Sequence, residues 1–581
     1  MGHGQHPVVV TVKNRSTFSL IFAGFCALWL SGCQRPSPSG SDGSAAVQPA
    51  PPGVEAEAGT AAESAALVGP GATAAETIEV VDEGPQAPMV FFTSGLLGYT
   101  EPCGCTIDLV LGGIDRIVGY VQAAKALAPA ALVVDAGNLL FEHETLAPQD
   151  VAQEVRKTRV LMLAHAEMGT VATTVGPMDL ANGLTFYLDT VGGTDITILS
   201  VNVSTATGSS IGLPHMTVPV GEEVIGLIGA SDPALFAGIT DVQVADPLPG
   251  IEASLQALAE SGATTTVLLY QGDLASARQR LAAVEGLDFI VPGYHPRRTD
   301  EVTQVGGAWV LEAYDQGRTV GRLKLVTHER GASWTNARVG SSEEQARLDR
   351  LIESTEVQLQ ALEVPEGSDV PPIVVRQQER LAQMRQQREA MTDTLDFGTE
   401  GRRFLYRPID MEPGLPVSGV LTEAMVVYNQ ELQAINMATI SAPLPAEPGQ
   451  PHYVGDAECQ RCHLSEQDFW LTTQHAHAME TLTQRNKHFD RNCVGCHVTG
   501  WELPGGSALG HTEGLENVQC EQCHGPGSLH ISNPSLNNVP GGVQVAVPES
   551  TCVGCHNSEH SPRFDYDTYL TRVIGPGHGQ P

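Results

Sequence analysis

Basic residues are scarce in this 581-residue chain, with 32 Lys and Arg against 67 Asp and Glu and a formal net charge of −35. Basic patches interleaved with aromatics are missing as well, which excludes nucleic acid as a partner. An acidic surface favours solubility and can steer a basic partner. Spare cysteine is equally short. Of the twelve cysteines, eight fall in one repeated motif, Cys26 and Cys33 lie near the N-terminus, and only Cys103 and Cys105 remain. A structural disulfide framework is thereby excluded. The apolar run at 18–30 is shorter than the ~20 residues a membrane-spanning helix needs. The chain is nevertheless too long for one hydrophobic core, so two or more domains are expected.

The N-terminus reads as an export signal. Lys13 and Arg15 precede the apolar run, which ends in Leu30-Ser31-Gly32-Cys33. This ending resembles the bacterial lipobox. The resemblance implies a signal peptide over 1–32, lipidation of Cys33 and a lipid-anchored mature protein. Gln34 follows the cysteine where an inner-membrane retention signal would place Asp, so the resemblance implies the outer membrane, facing the periplasm. Residues 33–86 are Pro, Gly, Ala, Ser and Glu with few large apolar side chains. They cannot bury enough surface to offset ordering entropy, and a disordered tether is expected.

The repeated motif is Cys-x-x-Cys-His. It occurs at Cys459, Cys462 and His463; at Cys493, Cys496 and His497; at Cys520, Cys523 and His524; and at Cys552, Cys555 and His556. Each copy is the attachment signature of a c-type haem: two thiols add across the vinyl groups and the adjacent His becomes the proximal iron ligand. Cys-x-x-Cys pairs also hold zinc, but a zinc ribbon has no need of a His after every second Cys. Four covalent haems are therefore expected. Attachment of such haems occurs outside the bacterial cytoplasmic membrane, in agreement with export.

Between tether and motifs, apolar runs alternate with helical periodicity. Strands are expected at 89–93, 131–135, 196–203, 224–230, 265–270, 288–291, 308–313 and 320–326, and helices at 114–127, 147–168, 251–260 and 275–284. Continuous apolar strands imply sheets covered by helices, an α/β domain over 87–340. The loops Val133-Val134-Asp135-Ala136-Gly137-Asn138, Gly176-Pro177-Met178-Asp179, Tyr270-Gln271-Gly272-Asp273 and Pro292-Gly293-Tyr294-His295 make this region similar to the calcineurin-like metallophosphoesterases, in their 5′-nucleotidase-like branch. The resemblance implies an α/β sandwich whose strand ends hold two metal ions. The pattern departs from the family at several points. Thr93-Ser94-Gly95 replaces Asp-x-His, Gly137-Asn138 replaces Gly-Asp, the Asn-His-Glu loop is lost, and His295 lacks a second His. Asp135, Asn138 and His295 fall short of a dinuclear ligand set, so hydrolysis is not expected. Any additional metal in this domain would have to sit there. The Cys103-Gly104-Cys105 loop occupies the place of the first metal loop. A redox disulfide, a soft-metal site, a haem-edge contact and a plain loop-stabilising disulfide or inert thiol pair all remain open for it.

Residues 341–441 hold a helical hairpin, with Leu348, Leu351, Ile352, Leu359 and Leu362 on one helix and breakers at 365–372, followed by a closing segment that ends in a helix at 419–436. A linker at 442–452 leads to the last domain, 453–581. Its Tyr453-Val454-Gly455, Trp470 to Met479 stretch, Cys493 to Gly500 and Cys523-His524-Gly525-Pro526-Gly527 resemble the tetrahaem cytochrome c-554 family. The resemblance implies a small, mostly α or irregular fold, three bis-His haems and one five-coordinate haem. It also marks His475, His530 and His578 as candidate distal ligands, with His477 and His560 as alternatives.

The expected protein is thus multidomain: a metallophosphoesterase-like α/β sandwich, a helical hairpin and a tetrahaem cytochrome c domain. Its leading function is electron transfer between periplasmic redox proteins or to a terminal reductase. The alternatives are a haem oxidoreductase acting on a small nitrogen or sulfur compound, and a nucleotidase-like hydrolase with an accessory cytochrome. No residue is marked as catalytic by the sequence.

Overall fold

The computed structural model describes residues 86–103, 111–128, 130–294, 297–299, 301–339, scattered helical positions between 348 and 385, then 394–438, 440, 442–557, 561 and 564–575. The signal, Cys33, the tether, Cys105, His295, Leu362, the 365–372 turn, His560 and His578 lie outside the described residues. All described residues belong to one compact unit.

Thirteen strands build two large sheets: β1 (Met89–Thr93), β2 (Ala131–Asp135), β3 (Thr170–Thr174), β4 (Thr197–Leu199), β5 (His215–Val220), β6 (Glu223–Ser231), β7 (Thr265–Gln271), β8 (Phe289–Pro292), β9 (Thr303–Val305), β10 (Ala308–Val310), β11 (Thr319–Thr327), β12 (Trp334–Asn336) and β13 (Arg402–Asp410). The first sheet runs β12-β13-β11-β1-β2-β3-β4 and the second β9-β10-β8-β7-β6-β5. β1 pairs parallel with β2 and antiparallel with β11.

Alternation along the strands decides the layering, because successive side chains point to opposite faces. Val90, Phe92, Leu132 and Val134 of the first sheet pack on Leu227, Leu269, Phe289 and Val291 of the second, forming the core between sheets. Phe91 and Val133 point the other way, onto α1 (Ile114–Leu127), α2 (Val151–Met168) and the later helix α5 (Gly419–Met437). Ile228, Leu268 and Ile290 cover their own face with α3 (Leu248–Glu260) and α4 (Leu274–Leu281). The result is an α/β/β/α sandwich with both sheets buried on both faces, as the unbroken apolar strands require.

Three elements differ from the sequence reading. The expected strand at 196–203 divides into β4 and a separate Val203–Thr205 strand, because the Ser200 Oγ captures the amides of Asn202 and Val203 and bends the chain. The polar run Thr170–Thr174 is a buried strand, tolerated because Thr173 donates to Asp135 and Thr174 to the Leu199 carbonyl. Helix α2 begins at Val151 rather than 147, because residues 147–150 close a turn through the Asp150 amide and the Ala147 carbonyl at 2.9 Å. In the region of the hairpin, Leu348, Leu351, Ile352 and Leu359 pack with Leu381 and Met384.

From 453 onward the segment changes character. Its described helices are short, from Arg491–Val494 to Tyr566–Val573. Helices of this length are unstable alone in water. Their own core is only Leu482, Val494, Val498 and Leu509 with a few half-buried neighbours.

Candidate functional site

The α/β lobe gathers Asp135, Asn138, Asp179, Gln271 and Gly293 at the ends of β2, β3, β7 and β8, but it uses their polar groups internally. Asp135 accepts from Thr93 Oγ1 at 2.6 Å, Thr173 Oγ1 at 2.8 Å and the Gly137 amide at 2.8 Å. Asp179 accepts four amides, those of Asn138, Leu139, Leu140 and Gly176, at 2.7–3.0 Å. Burial pushes the Asp179 carboxyl up to about 7, with the amides of Leu140, Gly176 and Leu139 opposing and nearby Asp135 adding to the rise. Asn138, held at positive φ, accepts from the Met178 amide. The Gln271 amide donates to the Ala136 carbonyl and fills the space that Gly137 and Gly293 leave by lacking a Cβ. Among the described residues no three His, Cys, Asp or Glu converge as a metal site. Asp273 caps α4 through the Ser276 amide at the surface. These groups act as a clasp that ties three loops together. Asp179→Asn places an amide nitrogen against two of those N–H donors, so a loss of about 2–3 kcal/mol is expected, read as a fall in the denaturant midpoint; an unchanged midpoint would refute the clasp. Cys103 lies in a two-residue strand, Pro102–Cys103, paired with Leu111–Gly112.

In the C-terminal segment the motifs come together in pairs. Cys459 of the first motif touches Cys520 of the third, and Cys496 of the second touches Cys555 of the fourth. Glu521, inside the third motif, ties the first to it: its carboxylate accepts the amides of Val454, Gly455 and Gly527 at 2.6–3.1 Å. Gln519 adds a bond from the Asp456 amide. All eight motif cysteines are free of disulfides.

Imidazoles stand opposite one another. His463 lies over His530 with ring centres 6.2 Å apart, and His475 faces His556 at 6.1 Å. A metal–imidazole bond of about 2 Å plus roughly 1 Å from nitrogen to ring centre places two trans imidazoles of one iron about 6 Å apart. Both pairs therefore fit a haem iron between them. The Nδ1 of His530 is buried without a hydrogen-bond partner, an orphan of the kind a metal satisfies. Burial lowers the pKa of His475, His497 and His556, which keeps them in the neutral form that ligates. Second partners orient three motif histidines. Nδ1 of His497 meets the Ala478 carbonyl at 2.6 Å, that of His524 the Gln544 carbonyl at 2.8 Å, and that of His556 the Ser561 hydroxyl at 2.9 Å. Such contacts fix the tautomer and leave Nε2 for a metal. Among the described residues no imidazole faces His497 as His530 faces His463. His477 is exposed, with Nε2 on the Leu471 carbonyl at 3.2 Å.

Sequence reasoning missed a polar seam between lobe and motifs. Gln153 of α2 donates to Asp490 at 2.7 Å and accepts from Asn436 of α5 at 2.7 Å, while Asn492 donates to Glu154 at 2.8 Å. Nothing in their spacing marks these residues, which look like ordinary solvent-facing polar positions.

Residues 458–525 match the family described as Cytochrome c554 and c-prime. The chain is 35% identical over 91 residues to the cytochrome c-554 of Nitrosomonas europaea, an alignment covering 13% of this chain and 39% of that relative's length. Among solved structures, a 5′-nucleotidase precursor of Thermus thermophilus is 16% identical, covers 72% of this chain and 71% of its own, and has a TM-score of 0.42. The sulfate thiohydrolase SoxB of Thermus thermophilus is 13% identical, with 75% and 74% covered and a TM-score of 0.43. Within the C-terminal domain the likeness to the cytochrome c-554 family therefore covers residues 458–525.

Proposed function

We propose that this protein is an exported, lipid-anchored electron-transfer protein that carries electrons between periplasmic redox partners through four covalent haems. The observation that carries this reading is the pair of facing imidazoles at 6.1 and 6.2 Å. When bound, haem iron cycles between ferric and ferrous states and so passes single electrons. The chain's part is attachment and orientation. Cys459 and Cys462, Cys493 and Cys496, Cys520 and Cys523, and Cys552 and Cys555 form the thioethers. His463, His497, His524 and His556 are the proximal ligands, with His530 opposite His463, His475 opposite His556, and His578 the further distal candidate. Contact between paired motifs sets the attachment edges of neighbouring haems close together, as a short electron path needs. Lipidation at Cys33 and a tether would hold this domain at the outer membrane, facing a soluble basic donor or a terminal reductase.

His497 supports a second reading. With no facing imidazole among the described residues, its iron would offer an open position where a small nitrogen or sulfur compound could be oxidised or reduced. A hydrolase reading would require Asp135 and Asp179 to give up their present hydrogen bonds.

Intact-mass measurement of the exported protein is expected to show four haem additions and a lipidated N-terminal Cys33. Fewer additions, or an unmodified N-terminus, would refute the corresponding part of the reading. Nitric oxide should perturb one haem spectrum if the second reading holds, and none if every iron is bis-imidazole.

A further inference from the structure

The seam between the lobe and the C-terminal domain converges on the second motif. Lys487 Nζ lies 2.8 Å from Glu101 Oε1, which belongs to the α/β lobe, and 3.5 Å from Asp490 Oδ2. Asp490 caps the Arg491–Val494 helix through the Asn492 amide at 3.0 Å and contacts the Cys493 sulfur. The Gln153 bond from α2 holds that carboxylate in place. Lys487 and Asp490 are almost wholly enclosed, at 10% and 7% side-chain exposure, and Glu101 is 27% exposed. Burial alone would drive the proton off Lys487, but Asp490 and Glu101 outweigh it and the ammonium stays charged. Glu154, itself bonded to Lys157 at 2.7 Å, and the unpartnered hydroxyl of Tyr428 complete the surroundings. A charge in so enclosed a place acts on its neighbours far more strongly than one in water.

We propose that the α/β lobe sets the reduction potential of the haem at Cys493 and Cys496, through the buried Lys487–Glu101 ion pair. This rests on the haem reading given above. An enclosed ammonium beside the attachment sulfur disfavours the extra positive charge of ferric iron and raises the potential. The Asp490 and Glu101 carboxylates oppose it, and the lobe supplies the second of these charges. Glu101 stands on the Tyr99–Cys103 approach, two residues before Cys103. Rearrangement of that loop would therefore move the carboxylate and with it the potential of this haem alone.

The test is spectroelectrochemical titration of the full-length exported protein with all haems attached. Lys487→Gln is expected to lower one midpoint potential and leave the others in place, shifting the ferrous-to-ferric ratio at fixed potential about tenfold, or ~59 mV for one electron. Glu101→Gln is expected to raise the same midpoint. The double variant K487Q/E101Q, which restores formal neutrality, should return towards wild type. A general loosening of the seam would instead add up in the double variant, and that outcome would overturn the proposal. So would unchanged midpoints or a uniform shift of all of them. Peptide mass spectrometry of residues 493–496 runs alongside: haem attached there with no midpoint shift defeats the tuning alone, whereas a peptide without haem defeats the underlying haem reading.

Discussion

Replacing His475 with alanine is expected to open the iron at the fourth motif, although His475 lies in the chain between the first and second. Its ring faces His556 at 6.1 Å, and among the described residues no other motif imidazole faces it. An iron losing one of two imidazoles becomes high-spin, so an added high-spin signal should appear in the electron paramagnetic resonance spectrum as one low-spin signal is lost. Combining H475A with C552A/C555A should remove that added signal together with its haem. If the added signal survives loss of the fourth haem, His475 serves another iron and the pairing is wrong. By the same geometry H530A should open the iron at His463, and its added signal should vanish with C459A/C462A. His556 also stacks on Phe564 at 5.0 Å and keeps its Ser561 bond, so the proximal side should hold its place in H475A.

Asp490→Ala is expected to weaken the seam by about 3–5 kcal/mol, the usual cost of removing one partner from a buried ionic cluster. The variant strips an acceptor from the Gln153 amide and from the Asn492 N–H, and leaves Lys487 with Glu101 alone. Gln153 has no replacement available, since its carbonyl already accepts from Asn436 and the Arg491 amide. Hydrogen exchange should quicken over residues 487–497 and along the facing part of α2, while the sheets keep their protection. Uniform exchange identical to wild type would sink the idea that Asp490 joins the two parts. Gln153→Leu, which removes a neutral donor to Asp490 and the acceptor of Asn436 and the Arg491 amide but leaves the ion pair, should cost less, about 1–3 kcal/mol.

Much of the α/β lobe was legible because burial on both faces demands continuous apolar strands, and those stand out in any sequence. The strands at 89–93 and 131–135 and the helix at 114–127 appear with the expected bounds. Thr170–Thr174 escaped because its composition is that of a surface loop. Asp135 and the Leu199 carbonyl, distant in the chain, and His165 nearby make its buried hydroxyls tolerable. The same limit applied to the loop cluster. Asp135, Asn138 and Asp179 could be picked out from an altered metal-binding pattern, but not that their oxygens are taken up by eight N–H and O–H groups.

Thioether formation and a proximal imidazole are local requirements that five consecutive residues can meet, so the sequence by itself marked the four Cys-x-x-Cys-His motifs and the likeness of residues 458–525 to the cytochrome c-554 family. Motif context could also single out His475 and His530. Which iron each would serve is a contact between residues 67 and 81 positions apart in the chain (His463 with His530, His475 with His556), and no spacing rule encodes it. The seam was hidden for a related reason: Gln153, Asn436 and Asp490 are polar residues of ordinary appearance until folding buries them together, where Gln153 bonds to both of the others.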